Sequence, residues 1–325
     1  MSTLDTTSDV PRRPFSGRRV RLGDLLLQGV AGLAALGATV LVGLIAYKIV
    51  EGSRLSISTF GLGFLQRVGW DPVHNLFGAE TFLFGTAVTS IGALILATPL
   101  ALGIALFLTE LAPNWVRGPV TALVETLAAI PSVVIGLWGI LVLGPVLLND
   151  VMPALHSALG FIPLFGPTST GASVFTAIIV LTIMILPIVS SISRELFLGV
   201  PSELKEAALG LGTTRWEMVR GVILPYTRGG VAAAMILGLG RALGEAVAVA
   251  QVIGSFSGNG ISWNLFNPGN SIGSELVNEF LNYSTTLELS SLFYLALILL
   301  VFSLAVNLLA QVIVRRVARR QGFVS

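Results

Sequence analysis

Six long apolar runs, recurring from near the N-terminus to near the C-terminus, leave this chain few choices of fold. They cover approximately residues 25–50, 82–108, 119–148, 172–197, 231–253 and 289–314. Each holds a helix of about 20 residues, the length that crosses about 30 Å of hydrocarbon. No soluble domain of usual size fits between them, so the chain reads as an all-α polytopic membrane protein: one membrane domain, 23–325, behind a short polar tail, 1–22. Only 11% of the residues are charged, against about 25% in ordinary soluble domains. Pro99, Pro131, Pro145 and Pro187 fall inside the runs, and kinks or breaks are expected there. The first run follows basic residues, as a secretory signal does. It is too long for one and no convincing small-residue cleavage site follows it, so it is expected to stay as a span.

The basic residues divide unevenly between the connecting segments. With the N-terminus inside, Arg12, Arg13, Arg18, Arg19, Arg21, Arg117, Arg194, Lys205, Arg215, Arg220, Arg228, Arg315, Arg316, Arg319 and Arg320 share one side, and Lys48, Arg54 and Arg67 the other. Positive charge favours the cytoplasmic face, so both termini are expected inside. The outward loops carry Trp70, Trp263, Phe266 and Tyr283, for which an interfacial aromatic belt and contacts with an extracytoplasmic partner are the two readings.

Between the fourth and fifth runs lies a polar insert, 202–225, that is too charged for hydrocarbon. Glu203, Lys205, Glu206, Arg215, Glu217 and Arg220 alternate with Leu204, Ala207, Ala208, Leu211, Trp216 and Val219, an apolar stripe at helical spacing. A helix lying beside the membrane on the cytoplasmic side is expected. Glu206-Ala207-Ala208 is followed after three residues by Gly212, after nine more by Val222, and after one more by Leu224-Pro225. This pattern resembles the EAA loop by which the membrane subunits of ABC importers dock into their ATPases, with Val222 in place of the usual isoleucine.

Several chemistries are excluded. There is no cysteine, hence no disulfide, thiolate metal site or cysteine nucleophile. The only lysines are Lys48, before Ile49, and Lys205, before Glu206, so no Gly-Lys-Ser/Thr phosphate grip exists and the chain cannot hydrolyse ATP through a P-loop of its own. His74 and His156 have no neighbouring ligands at metal spacing, and no metal is expected. Gly238-Leu239-Gly240 follows no strand and is no dinucleotide fingerprint.

The sharpest polar feature inside a run is Arg241 with Glu245, four residues on. At helical pitch the two share a face. A charge near the bilayer centre costs about 2.5–3.5 kcal/mol on insertion scales, so the pair is expected to face a polar cavity or each other. Two roles follow. The pair fixes helix packing, or Arg241 offers a permanently charged fork to an oxyanion while Glu245 holds the fork and moderates its field. Glu125, ahead of Ala128-Ala129-Ile130-Pro131-Ser132-Val133-Val134, is read as a buried carboxylate of the third span, either packing or pathway. Pro131 breaks the helical ladder, and Ser132 either repairs part of that break or contacts a passing anion.

Residues 128–139, AAIPSVVIGLWG, together with the insert and GRALGEAVAV around Arg241, resemble the PstC-type permease subunits of bacterial phosphate importers from about Leu25 onward. The resemblance implies an ABC type I importer permease fold of about six transmembrane helices with a cytoplasmic coupling helix. It implies a non-catalytic subunit that carries inorganic phosphate across the bacterial cytoplasmic membrane. Arg241 and Glu245 fall on the family's charged transport positions, and Glu206, Ala207, Ala208 and Gly212 on its ATPase-docking positions. The implied partners are a PstA-type second permease, a dimer of PstB-type ATPases and a PstS-type phosphate-binding protein, within the lipid bilayer and without nucleic acid. This chain then binds no cofactor, ATP and Mg belonging to the ATPases. Sulfate, molybdate or a phosphonate satisfies the same arginine chemistry, and an ion-coupled carrier using Glu125, Arg241 and Glu245 as a relay is the alternative from another class.

Overall fold

The computed structural model describes residues 22–255 and 260–319. The expected tail, 1–22, lies outside the described residues except for its last position, and Arg320 is outside them as well. The helices are α1 (Leu22–Phe60), α2 (Glu80–Leu106), α3 (Asn114–Ala129), α4 (Ser132–Trp138), α5 (Gly144–Val146), α6 (Met152–Leu159), α7 (Val174–Leu198), α8 (Ser202–Gly210), α9 (Arg215–Met218), α10 (Leu224–Gly244), α11 (Val247–Val252), α12 (Ile272–Glu279) and α13 (Thr286–Arg319). Strands β1 (Trp70–Asp71) and β2 (Leu76–Phe77) pair in one short antiparallel hairpin. The chain divides into two compact units between Lys48 and Ile49, within α1.

Among the described residues six helical stretches are long and apolar enough to cross a membrane: Leu25–Gln66, Glu80–Leu111, Ser132–Leu159, Val174–Leu198, Arg215–Gly244 and Thr286–Val312. The count matches the sequence reading, while the first, third and fifth spans differ from it in their bounds; the first continues past residue 50 to Gln66. The third span begins at Ser132 rather than near 119, because Ile130 and Pro131 are extended (ψ 128° and 138°) and cut α3 off as a separate helix. The fifth span runs from Arg215 through a π-helical turn, Val219–Ile223, and ends at Gly244, not 253. Of the four prolines, only Pro131 breaks the chain. Pro99 and Pro187 lie inside continuous helices, and Pro145 opens α5 between two π-helical turns, whose wider bonding pattern absorbs local misfit in the ladder.

The second and fourth spans form the centre. Along α2, Gly85, Thr89, Ala93, Ala97, Ala101 and Ala105 recur every fourth residue, and all are buried. Small residues at this spacing make a shallow ridge that brings two helix backbones close, which in a membrane supplies packing in place of the hydrophobic effect. Ala93 and Ala97 meet Ile178, Leu181 and Ile185 of α7 in the main core, Ala101 meets Val189, and Ala105 meets Phe197. Polar bonds tie the last turns of α1 to α13: the Ser56 amide donates to Ser290 Oγ at 3.0 Å, and Ser290 Oγ donates to the Gly52 carbonyl at 2.7 Å.

At the end opposite the polar insert, two of the expected belt aromatics turn inward. Phe266 is fully buried against Phe165 and Phe175, and Trp70 packs edge-on against Phe77 and Phe82. Trp263 and Tyr283 stay exposed.

Candidate functional site

The helix carrying Arg241 stops three residues after it. Glu245 leaves helical geometry (ψ 119°), and α11 starts afresh at Val247. Arg241 and Glu245 therefore do not share one continuous helix face, as the spacing suggests. They face each other across the helix end, with Arg241 Nη2 3.9 Å from Glu245 Oε2. Glu245 is the more enclosed partner, its side chain 9% exposed against 44% for Arg241. Its other oxygen, Oε1, accepts from the Ala248 amide at 3.2 Å, so this carboxylate also secures the first turn of α11. The fork is thus held loosely and remains open to a ligand.

What it opens into is a cavity of about 1010 Å³ between α10 and α13, with Ile188 of α7 in its wall. Arg241, Glu245, Asn307 and Gln311 supply its polar lining, and Ile236 and Leu237 part of the apolar lining. Asn307 and Gln311 lie one turn apart on α13 and were not singled out by sequence. Two amides four residues apart in an otherwise apolar run are the signal that marks them. The arrangement offers one permanent positive charge, one carboxylate acceptor and two neutral amides, a mixture suited to an anion that both accepts and donates hydrogen bonds.

The other two pathway candidates sit elsewhere. Ser132 is the first residue of α4, which packs against α11, and it does not line this cavity. Glu125 belongs to α3 and is exposed, not the buried carboxylate of a membrane span. It lines a separate cavity of about 280 Å³ with Thr121, Ser190, Ser191, Arg194 and Glu195. The apolar residues around Glu125 read as one span with those after Pro131; the break at Ile130–Pro131 separates them.

The insert is two helices rather than one. α8 carries Glu206, Ala207 and Ala208 and contains no buried residue. Gly212 then turns the chain with φ 83°, a left-handed conformation that glycine adopts without Cβ strain. Thr214 starts α9 through a capping box, its amide donating to Glu217 Oε2 at 2.7 Å while its hydroxyl accepts from the Glu217 amide at 3.3 Å. From there the helix continues into the fifth span. Of the expected apolar stripe, Leu204, Ala207, Leu211 and Trp216 stay exposed, whereas Ala208 is half-buried and Val219 is buried in the core beside Phe197.

Among the described residues no group of three or more histidine, aspartate or glutamate side chains is placed to hold a metal ion. His74 Nδ1 lies 2.7 Å from Asp71 Oδ2, a hydrogen bond that holds the Asp71 carboxyl below its usual range, and His156 Nδ1 meets the Phe165 carbonyl at 2.7 Å.

Residues 97–319 match the family model described as the binding-protein-dependent transport system inner membrane component. The chain belongs to this permease family. Among similar relatives, the phosphate transport system permease protein PstC of Mesorhizobium japonicum is 42% identical, over 95% of each chain. The protein of the same name from Pasteurella multocida is 41% identical, over 92% of this permease and 94% of that one. A solved structure of a bacterial alginate ABC transporter in complex with alginate pentasaccharide-bound periplasmic protein superposes with a TM-score of 0.58 at 16% identity, covering 93% of this permease and 98% of that chain. The likeness to that structure is one of fold, the ABC type I importer permease fold. The polar insert carries the motif typical of the family, and the family places the permease in the membrane as a multi-pass component.

Proposed function

We propose that this permease translocates inorganic phosphate as the membrane subunit of an ATP-driven importer. The observation that carries the reading is the identity of about 42% along 95% of both chains with a phosphate transport permease, joined to a cavity in which, among the described residues, Arg241 is the cationic group of the lining. Phosphate near neutral pH carries both anionic oxygens and a proton. Arg241 answers the oxygens with charge-assisted bonds worth about 1.5–3 kcal/mol each, and the Glu245 carboxylate or the side-chain carbonyl oxygens of Asn307 and Gln311 accept the hydrogen bond that the P–OH donates. Glu245, already bonded to the Ala248 amide, keeps Arg241 from acting as an uncompensated trap. Ser132 and Glu125 enter this reading only as residues of neighbouring helices that rearrange during the cycle, since neither lines the Arg241 cavity.

In this cycle a PstS-type phosphate-binding protein delivers phosphate at the end bearing β1, β2 and α12, and a PstA-type permease completes the cavity across α10 and α13. Of a dimer of PstB-type ATPases, which hold ATP and Mg, one docks on the exposed side of α8 at Glu206, Ala207, Ala208 and Gly212. Both termini and the insert face the cytoplasm. Hydrolysis takes place in the ATPases, and this chain converts their closure into alternating access. The test is reconstitution with these partners in liposomes and measurement of ATP-dependent phosphate uptake against sulfate competition. Saturable phosphate uptake that excess sulfate leaves unchanged is expected. Uptake that sulfate abolishes reassigns the substrate, and uptake without ATP removes the importer reading.

A further inference from the structure

Glu110, in the π-helical turn Phe107–Leu111 that ends the second span, gathers both arms of the insert. Its carboxylate Oε1 accepts from Lys205 Nζ at 2.7 Å, with the two side chains only 13% and 18% exposed. The same ammonium donates to the carbonyl of Phe197, in the last turn of α7, at 3.1 Å. The backbone carbonyl of Glu110 accepts from Arg215 Nη1 at 3.0 Å. Lys205 precedes the Gly212 turn and Arg215 follows it, so one residue at the end of α2 holds the insert on both sides of its bend.

An exposed ion pair would carry little weight, because water and salt screen it. This one is largely withdrawn from water, and loss of either partner strands the other charge in a poorly solvated place. It also stands where apolar burial is thin, since α8 has no buried residue of its own. Ala208 gives α8 one half-buried apolar contact with the cluster beside Phe197, and polar bonds supply much of the rest of its connection to the membrane body, the Glu110–Lys205 bond being the shortest of those described. Lys205 is the residue immediately before Glu206, so the bond lies at the base of the docking motif.

We propose that Glu110 is a positioning residue for energy transmission: through Lys205 and Arg215 it locks the insert to the end of α2, so that a displacement of α8 moves the second span. This rests on the reading that α8 docks on an ATPase. Because the chain has no native cysteine, a single Leu209→Cys reports that docking independently, by cross-linking to the reconstituted ATPase.

The experiment uses the full reconstituted importer and scores phosphate taken up per ATP hydrolysed, normalised to assembled complex. Glu110→Gln and Lys205→Met are each expected to lower that ratio about tenfold while the Leu209→Cys cross-link to the ATPase is retained. The double variant is expected to be no worse than the poorer single, since removing both partners strands no charge, and Lys205→Arg is expected to keep most of the ratio. A wild-type ratio in either single variant overturns the proposal, and so does multiplication of the two losses in the double. A fall only in the amount of assembled complex, with the ratio unchanged, also overturns it by reducing the pair to a folding contact. Absence of the cross-link in the otherwise wild-type chain instead defeats the docking reading on which the proposal stands.

Discussion

Gly273 is packed directly over the break that carries Glu245: a methyl group on its α-carbon would stand 3.0 Å from the Glu245 carbonyl oxygen and 2.9 Å from the Ala246 α-carbon. α12 cannot easily back away, because the Ile272 amide donates to Thr86 Oγ1 of α2 at 2.9 Å and a Ser271–Ser274 capping box fixes its first turn. The outward end of the molecule thus sets the geometry beside Arg241. Gly273→Val is expected to cost about 1–3 kcal/mol by overpacking and to lower phosphate uptake more than tenfold per assembled complex, with Gly273→Ala in between. Thermal unfolding and transport on the same preparations check both parts, and unchanged uptake in the valine variant would detach α12 from the site.

Arg241→Ala is expected to abolish phosphate uptake while leaving assembly intact, because the side chain lines the cavity, is 44% exposed, and pairs with its carboxylate partner only at 3.9 Å. Little folding energy is tied up in so loose a pair. Arg241→Lys, which keeps charge but loses the planar fork, is expected to retain a small fraction of uptake. Full uptake in the alanine variant removes the residue from the pathway.

Gly212 has nothing within 4 Å of where a Cβ would stand, so the demand for glycine there comes from φ 83° alone. A β-branched residue in this conformation costs about 1–2 kcal/mol. Gly212→Val is expected to misdirect α8 and separate ATP hydrolysis from uptake, whereas Gly212→Asn, which tolerates left-handed backbone, should retain most coupling. Equal coupling in the two variants, measured as uptake per ATP, would contradict this account.

Glu275 on α12 has its carboxyl pushed up to about 8, chiefly by burial and further by the neighbouring Glu279 and Glu288. The folded protein therefore binds this proton where the unfolded chain has already released it. Stability from this group is complete below the ordinary carboxylate value of 4.5, declines as pH rises, and is spent above about 8. Thermal midpoints of the detergent-solubilised protein between pH 5 and pH 9 are expected to fall with pH, and Glu275→Gln to flatten that slope. A parallel slope in the variant would assign the effect to other groups.

How far the chain could be read in advance depended on the kind of signal involved. Length and hydropathy found six spans, since hydrocarbon thickness imposes a minimum that few sequences meet by chance. Polarity found the insert and Arg241 with Glu245 for the same reason. The break after Gly244 escaped because no proline marks it; the Ala248 amide and the close approach of Gly273 maintain it, and those are tertiary contacts. Glu125 was drawn into the third span because α3 is apolar enough to merge with α4 in a hydropathy pattern, although Pro131 stood between them. Charged residues drew attention where Asn307 and Gln311 did not. The stripe from Gly85 to Ala105 was legible in principle, for its period of four is plain once small residues rather than hydrophobic ones are counted.

That stripe has a mechanical consequence. Alanine has no side-chain torsion to rearrange, so along this seam the α2 side is fixed by backbone alone and any adjustment falls to the larger α7 residues Ile178, Leu181, Ile185, Val189 and Phe197. Two helices in such close contact shift as a pair more readily than they slide past each other, which suits a seam running the length of the second span.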